Sequence, residues 1–202
     1  LGDKVSSKAV HPMVSFSEQV IGKINNKNIT YGRFGIGLKK TWVTKKQLHP
    51  VLYIDKNSHV AAALSALLKA RRKRAKVELA PHVRHSIMII KCFTKNRCGY
   101  NSYFEIDNFD FYAEKEWRYV PTKSQINGNL ISQTKRTYDK RQAYYNDKLK
   151  DFPLKFSLAD IEYIFVETET QRKEIIETFS INADIIKISQ WSSKHRKAKP
   201  SA

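Results

Sequence analysis

Residues 109–121, FDFYAEKEWRYVP, carry the alternating pattern that most constrains how this chain can fold. Side chains alternate across a β-strand, so we predict one strand with two different faces. Apart from Lys115, one face is apolar and comprises Phe109, Phe111, Ala113, Trp117 and Tyr119. The other face comprises Asp110, Tyr112, Glu114, Glu116 and Arg118. The first face is typical of a core, and the second has two interpretations.

Charged residues on the open face of an antiparallel sheet are ordinary, and neighbouring opposite charges contribute little stability there. Alternatively, this face forms the floor of an active cleft. Glu116 would then be a catalytic carboxylate and Glu114 would orient the substrate. Arg118 would keep one of them ionised, because a close guanidinium lowers the pKa of a carboxyl group.

The composition indicates a folded globular protein, since 41% of its 202 residues are hydrophobic and 11% are aromatic. No apolar run approaches the roughly 20 residues that span a bilayer, and the N-terminus has no secretory core. We therefore expect a cytoplasmic location and no membrane partner. Cys92 and Cys98 are expected to be reduced thiols, and no metal is expected.

The formal net charge of +18 favours a polyanionic partner, most often nucleic acid. Residues 60–100 hold ten Lys and Arg against Glu78 alone. The candidate phosphate-binding residues at the end of a helix predicted over 59–77 are Arg71, Arg72, Lys73, Arg74 and Lys76. A solubility surface, or favourable contact with the dipole at the helix C-terminus, is the alternative explanation.

A second basic segment, Leu130–Lys150, holds six Lys and Arg against two Asp, interleaved with Tyr138, Tyr144 and Tyr145. Basic and aromatic side chains together hold a single nucleic-acid strand through phosphate contacts and base stacking. The candidate residues are Lys135, Arg136, Lys140 and Arg141. A solvated helix face is the commoner explanation of such a segment.

The remaining pattern predicts an α+β fold, with a mixed, mainly antiparallel sheet flanked by helices, because strands and helices follow no regular βαβ rhythm. Strands are predicted over 13–17, 31–38, 51–54, 160–166 and 184–188. Helices are predicted over 39–47, 59–77, 81–91, 132–150 and 169–179, the fourth capped by Ser132, and a loop over 92–108. We expect a flexible segment over 1–10, one domain over 11–190 with a basic helical insertion at about 59–91, and a basic disordered tail over 191–202.

Several familiar enzyme motifs do not occur in the sequence. It contains no dinucleotide-binding or phosphate-binding glycine loop, no HExxH motif and no nucleophile elbow. In the strand predicted over 31–38, Tyr31 and Arg33 share a face with Gly35 and Gly37. Such a face either lets a ligand approach the backbone or marks a bent strand.

Four motifs follow one another along the chain: HPMVSFSE at 11–18, YGRFGIG at 31–37, PVLYI at 50–54 and FYAEKEWR at 111–118. Their order resembles the AbiGi-like abortive-infection family of bacterial phage-defence proteins. The resemblance implies a role in cytoplasmic antiviral defence. It also makes a partner protein from the same defence system an expectation.

The tripeptide Glu114-Lys115-Glu116, followed by an aromatic residue and Val-Pro, also resembles the Glu-x-Glu strand of ADP-ribosyltransferases. That resemblance implies NAD as a substrate, with Glu116 as the catalytic carboxylate and Glu114 orienting the acceptor. The further residues it implies are Ser15 and Ser17 as the Ser/Thr motif and either His11 or Arg33 on an early strand. Tyr31 or Tyr112 would stack on the nicotinamide ring.

Three functions therefore stay open from the sequence. One is an NAD-dependent ADP-ribosyltransferase, and another is a non-catalytic, basic nucleic-acid-binding sensor or antitoxin. The third is a metal-dependent nuclease using Glu114 and Glu116. It fits less well, because Arg118 beside these carboxylates would compete with a cation.

Overall fold

The computed structural model describes residues 8–20, 32–71 and 78–189, and within these ranges the α+β prediction is confirmed. The strands are β1 (Ala9–Val10), β2 (Val14–Ser17), β3 (Gly35–Leu38), β4 (His49–Pro50), β5 (Leu52–Ile54), β6 (Thr94–Asn96), β7 (Cys98–Asn101), β8 (Ile106–Asp110), β9 (Glu116–Tyr119), β10 (Gln133–Thr134), β11 (Ile161–Val166) and β12 (Ile186–Ile188). The helices are α1 (Lys40–Lys45), α2 (His59–Ala70), α3 (Pro81–Cys92), α4 (Lys135–Lys140), α5 (Gln142–Asp147) and α6 (Glu169–Phe179). None of the helices in these ranges has the length and apolar character that crossing a membrane requires.

The chain divides into two compact units. The first contains the described residues of 1–18, 48–99 and 110–154, and the second those of 19–47, 100–109 and 155–202. The expectation of one domain over 11–190 stays a prediction. Of the segment expected to be flexible, residues 9 and 10 form β1, and the tail over 191–202 lies outside the described residues.

The first unit is built around β9, which lies between β2 and β4 in a three-stranded antiparallel sheet. Two smaller pairings accompany it, parallel β5 with β6 and antiparallel β1 with β10. Helices α2 and α3 pack on each other through buried Leu68, Ile87 and Met88. Ser58 caps α2 by accepting a hydrogen bond from the Ala61 N–H. Pro81 is the first residue of α3, a position where the backbone N–H that proline lacks would have no partner within the helix.

The second unit contains the sheet β12–β11–β3, in which β12 is parallel and β3 antiparallel to β11. Trp42 on α1 is 2% exposed and meets Phe156 edge to face, with ring centroids 6.5 Å apart. A Cβ atom added at Gly35 would lie 3.4 Å from the Phe165 ring, and one at Gly37 would lie 3.5 Å from Tyr163. The side chains of Phe165 and Tyr163 on β11 therefore lie directly beside the two glycines of β3.

The prediction of one continuous strand over 109–121 is wrong. β8 ends at Asp110, whose carboxylate accepts a hydrogen bond from the Tyr112 N–H and starts a 3-10 turn over Phe111–Glu114. Side chains of Asp favour such turns by satisfying a backbone donor two residues ahead. Lys115 then adopts a left-handed conformation with φ 48°, and β9 begins at Glu116. Strict alternation of faces across 109–121 is therefore lost.

Two further element predictions are corrected. The loop predicted over 92–108 contains β6, β7 and β8. The single helix predicted over 132–150 is two short helices, α4 and α5, separated at Arg141. Ser132 does not cap α4, because the preceding residues 133–134 are extended in β10, and Thr134 accepts the capping hydrogen bond from the Thr137 N–H.

Candidate functional site

Glu116 lies at the centre of a buried ion cluster, which we define as Lys95, Glu114, Glu116 and Arg118. Its side chain is 6% exposed. Oε1 accepts hydrogen bonds from Arg118 Nε at 2.7 Å and Ser15 Oγ at 2.8 Å. Oε2 accepts from Lys95 Nζ at 2.9 Å and Arg118 Nη2 at 3.3 Å. Both carboxylate oxygens therefore have two donors each.

Lys95 joins the two glutamates. Its ammonium group also donates to Glu114 Oε2 at 2.5 Å, and the Glu114 side chain is 12% exposed. The same ammonium lies 4.7 Å from the centre of the Phe111 ring. With two carboxylates and two cations, the ion cluster is electrically neutral, as burial of charged groups requires.

Several elements of the first unit position the ion cluster. β9 pairs with β2 so that Ser15 lies opposite Arg118 and Ser17 opposite Glu116. Ser17 Oγ donates to the backbone oxygen of Glu114. Arg118 Nη1 donates to the backbone oxygen of Cys92 at 2.6 Å, at the end of α3, and the Glu116 N–H donates to the Tyr53 hydroxyl on β5.

The ionised forms of Glu116 and Lys95 are favoured over the neutral forms. Burial acts to raise the pKa of Glu116, but the hydrogen bonds from Arg118, Lys95 and Ser15 outweigh it and lower the pKa below 4.5. Burial acts to lower the pKa of Lys95, but Glu114 and Glu116 outweigh it and raise the pKa above 10.5. Glu116 and Lys95 are therefore charged throughout the neutral range.

These shifts predict how the stability of the protein depends on pH. Because the pKa of Glu116 is lowered on folding, its ionised carboxylate stabilises the folded protein. This stabilisation is complete above the unfolded pKa of 4.5 and is lost as the pH falls through the folded pKa. The raised pKa of Lys95 likewise stabilises the folded protein. This stabilisation is complete below the unfolded pKa of 10.5 and is lost as the pH rises through the folded pKa of Lys95. We expect the Tm difference between the wild type and Glu116→Gln to stay constant between these limits and narrow in acid. Thermal melts monitored by circular dichroism measure this, and a difference that narrows already at pH 7 contradicts it.

A cleft of about 510 Å³ lies beside the ion cluster in the first unit. Its lining residues are Val51, Leu52, Tyr53, Ile54, Val60, Arg97 and Tyr112. Tyr53 and Tyr112 meet edge to face in it, with ring centroids 5.4 Å apart. Neither Glu114 nor Glu116 is among the lining residues, so the cleft presents aromatic and aliphatic groups with one guanidinium.

The structure brings together only some of the residues predicted for NAD. Ser15 and Ser17 contact the glutamates as described, and Tyr112 lines the neighbouring cleft. His11 Nδ1 donates to the Ile131 backbone oxygen at 3.1 Å. Arg33 belongs to the second unit, where it donates to the Ser189 backbone oxygen and lies 3.7 Å from Glu167. Tyr31 lies outside the described residues.

The helices α4 and α5 carry a second candidate site. Tyr138 and Tyr145 stack with ring centroids 6.1 Å apart, although seven residues of a continuous helix span about 10.5 Å. The break at Arg141 allows this approach. Tyr144 is 46% exposed and lies under two cations, Arg141 at 4.3 Å and Lys148 at 5.5 Å from its ring centre. Tyr145 meets Tyr144 edge to face at 5.3 Å.

The charges of this segment are unbalanced. Lys135 pairs with Asp139 at 2.9 Å and Lys150 with Asp147 at 2.8 Å, which engages both acidic residues of 135–150. The remaining cations are all exposed, and no carboxylate of the described chain pairs with them: Arg136, Lys140, Arg141 and Lys148. We call these four residues and Tyr144 the α4–α5 basic surface.

Three of the four residues predicted from this segment therefore keep their charge available, and Lys135 does not. At the end of α2, the structure describes Arg71. The predicted phosphate-binding residues Arg72, Lys73, Arg74 and Lys76 lie outside the described residues.

Comparison with known proteins decides the family. The family model described as "Putative abortive phage resistance protein AbiGi, antitoxin" matches residues 2–167. The chain belongs to the AbiGi family. A member of the family, "Abortive phage resistance protein AbiGi" from Lactococcus lactis subsp. cremoris, is 28% identical over 163 residues. That match covers 72% of this chain and 65% of the relative, so the chain spans just under two thirds of the length of the relative. No solved structure matches the chain.

The matching family and this relative are both described as phage-resistance proteins, which agrees with the resemblance carried by the four motifs. Sequence reasoning missed three residues of the candidate sites: Lys95, Tyr53 and Lys148. Lys95 lies in the segment predicted as a loop, and nothing local marks it as a partner of residues 114 and 116. Lys148 was detectable, because it lies four residues after Tyr144 and residues at that spacing share a helix face.

Proposed function

We propose that this AbiGi family member is the antitoxin component of a phage-defence system and binds single-stranded nucleic acid through the α4–α5 basic surface. The observation that carries the proposal is a group of four exposed cations that pair with no carboxylate of the described chain, two of which, Arg141 and Lys148, lie over the exposed Tyr144 ring. The description of the matching family as an antitoxin supports the first half of the proposal. The net charge of +18 supports the second.

The chemistry of the surface suits a single strand better than a duplex. Cations neutralise phosphates in either form, but a base stacks on an exposed aromatic ring only when it is unpaired. Tyr144 offers such a ring, which Tyr145 contacts edge to face while itself stacking on Tyr138. Stacking on an aromatic ring contributes about 1–3 kcal/mol per base with little sequence preference. We therefore infer broad specificity for single strands.

ADP-ribosyl transfer through Glu116 has less support. Stabilising the positive charge of an oxocarbenium-like transition state requires a carboxylate aimed at the reacting sugar. Both oxygens of Glu116 are engaged by Ser15, Lys95 and Arg118, and the carboxylate is outside the lining of the neighbouring cleft. A neutral, fully hydrogen-bonded ion cluster is typical of a structural role.

The test is a binding measurement by fluorescence anisotropy with a labelled 12-nucleotide single strand and the matching duplex. We expect tighter binding of the single strand. Because each neutralised phosphate contributes about −0.7 to the slope of log K against log salt concentration, four contacts give a slope of about −3. Salt-independent binding, or a preference for the duplex, would contradict the proposal.

The antitoxin role has a separate readout in cells. In bacteria carrying the complete defence locus, replacing this chain by an inactive one releases the toxin. We expect slower growth in the absence of phage than in cells with the wild-type locus, measured by optical density and by plating. Normal growth would contradict the antitoxin role and leave the binding result unaffected.

A further inference from the structure

A group of half-buried cations lies where α2 ends against α3, apart from the residues of the α4–α5 basic surface. Arg71 follows the last turn of α2, and Arg84 and Lys91 lie seven residues apart on α3. Residues at that spacing share a helix face, and Ile87 and Met88, which pack against Leu68 of α2, lie between them. The face of α3 that meets α2 therefore also carries two cations.

Arg71 has an unsatisfied hydrogen-bond donor. Its Nε atom is buried and has no hydrogen-bond partner within the part of the chain that the structure describes. No carboxylate of the described residues forms an ion pair with Arg71 or Arg84. A buried N–H of a charged group left without an acceptor is costly, so such a group in a native protein indicates a missing acceptor.

The electrostatics of these residues agree with the geometry. Burial first, and then repulsion from Arg84, lowers the pKa of Arg71. Burial and the charge of Arg71 lower the pKa of Lys91. Burial is the largest cause of the lowered pKa of His11, and the nearby charges of Lys91, Arg118 and Arg71 lower it further. Burial thus acts against the charged form of Arg71, Lys91 and His11.

We propose that Arg71, Arg84 and Lys91, with His11 beside them, form a binding site for a phosphate group. A phosphate dianion would accept the free N–H of Arg71 and offset the repulsion among the three cations. Guanidinium groups match phosphate geometry through paired N–H donors, and a lysine adds a point charge. The phosphate comes from a free nucleotide or from a nucleic-acid backbone, since both present the same oxygens.

The experiment measures the Tm of the full chain with inorganic phosphate, with AMP and with a single-stranded oligonucleotide, each against chloride at equal ionic strength. At 100 times its Kd, a ligand is expected to raise Tm by roughly 5–10 °C for a chain of this size. We expect Arg71→Gln to lose this shift, and the matched control Lys123→Gln, which removes an exposed cation outside both proposed binding sites, to keep it. A rise in Tm with inorganic phosphate or AMP shows that a free phosphate group is sufficient for binding. A rise in Tm that depends on Arg71 and occurs with the oligonucleotide alone shows that the site binds a phosphate of the nucleic-acid backbone.

A second readout separates binding from a structural role of Arg71. In chloride, Arg71→Gln is expected to melt at the same temperature as the wild type or higher, because it removes an unsatisfied, repelled cation. On phosphate binding, the pKa of His11 is expected to rise, which NMR titration measures in the wild type. The proposal is overturned if none of the three ligands shifts Tm or if Arg71→Gln keeps the full shift. Because it uses residues outside the α4–α5 basic surface, it stands or fails separately from the proposed function.

Discussion

Glu116→Gln is expected to lower the free energy of unfolding by about 3–5 kcal/mol, the usual cost of removing one partner from a buried ion pair. The substitution keeps the shape of the side chain but leaves Lys95 with the carboxylate of Glu114 alone and Arg118 with no carboxylate partner among the described residues. The new amide N–H₂ group would also face hydrogen-bond donors, because both carboxylate oxygens of Glu116 accept hydrogen bonds in the wild type. Urea unfolding followed by circular dichroism measures the loss, which the lowered midpoint reports directly if the slope is unchanged.

The matched control is Asp139→Asn, which breaks the exposed pair with Lys135. Both side chains of that pair are at least half exposed, so the expected change is within about 0.5 kcal/mol. Combining Glu116→Gln with Arg118→Met restores neutrality, and part of the lost stability should return as a favourable coupling energy. A change below about 1 kcal/mol for Glu116→Gln would show that the ion cluster does not hold the first unit together.

Replacing the four cations of the α4–α5 basic surface by glutamine is expected to weaken single-strand binding by roughly 10²- to 10³-fold at 0.1 M salt. Each phosphate contact contributes about 0.7 of a decade under those conditions through counterion release. The salt dependence should fall together with the affinity. Anisotropy titrations of Arg136→Gln, Lys140→Gln, Arg141→Gln and Lys148→Gln combined in one chain, at three salt concentrations, measure both.

A control chain with the same net charge separates this local effect from general attraction. It carries glutamine at four exposed lysines elsewhere in the described chain: Lys123, Lys155, Lys173 and Lys187. If binding depended only on total charge, both quadruple variants would weaken it equally. Equal losses would therefore contradict the assignment of the α4–α5 basic surface.

The sequence predicted elements well where one local rule dominates. Thr168 and Gln171 form a capping box at the start of α6, and that helix was predicted with its observed bounds. Pro81 marked the start of α3 for a similar reason. The α+β class followed from the mixture of such signals.

The failures lie where tertiary contacts override the local pattern. Alternation over 109–121 predicted a continuous strand, but the Asp110 side chain turns the chain into a 3-10 turn and β9 takes its hydrogen bonds from β2 and β4. Likewise, the residues before α4 are extended because they pair with β1. The partner of Glu116 on β6, Lys95, is 21 positions away, and no local rule connects the two.

The sequence correctly singled out Glu114, Glu116 and Arg118 as a group. The pattern left two interpretations open, a solvated surface or the floor of an active cleft, because alternating charges along a strand do not show whether the side chains are buried. The structure adds that information, since the side chain of Glu116 is 6% exposed and meets four donor groups. The same residues therefore support a structural interpretation.

The ion cluster also has a consequence for the order in which the chain acquires its structure. Ser15 and Glu116 are 101 positions apart, and Ser17 and Glu114 are 97 apart. Contacts between such distant positions form late, because closing a long loop costs entropy before any contact forms. During synthesis, β2 therefore pairs with β9 only after most of the first unit has left the ribosome. A nascent chain that stops before residue 114 has Lys95 without either carboxylate, and we expect such fragments to be degraded quickly by proteases in the cell.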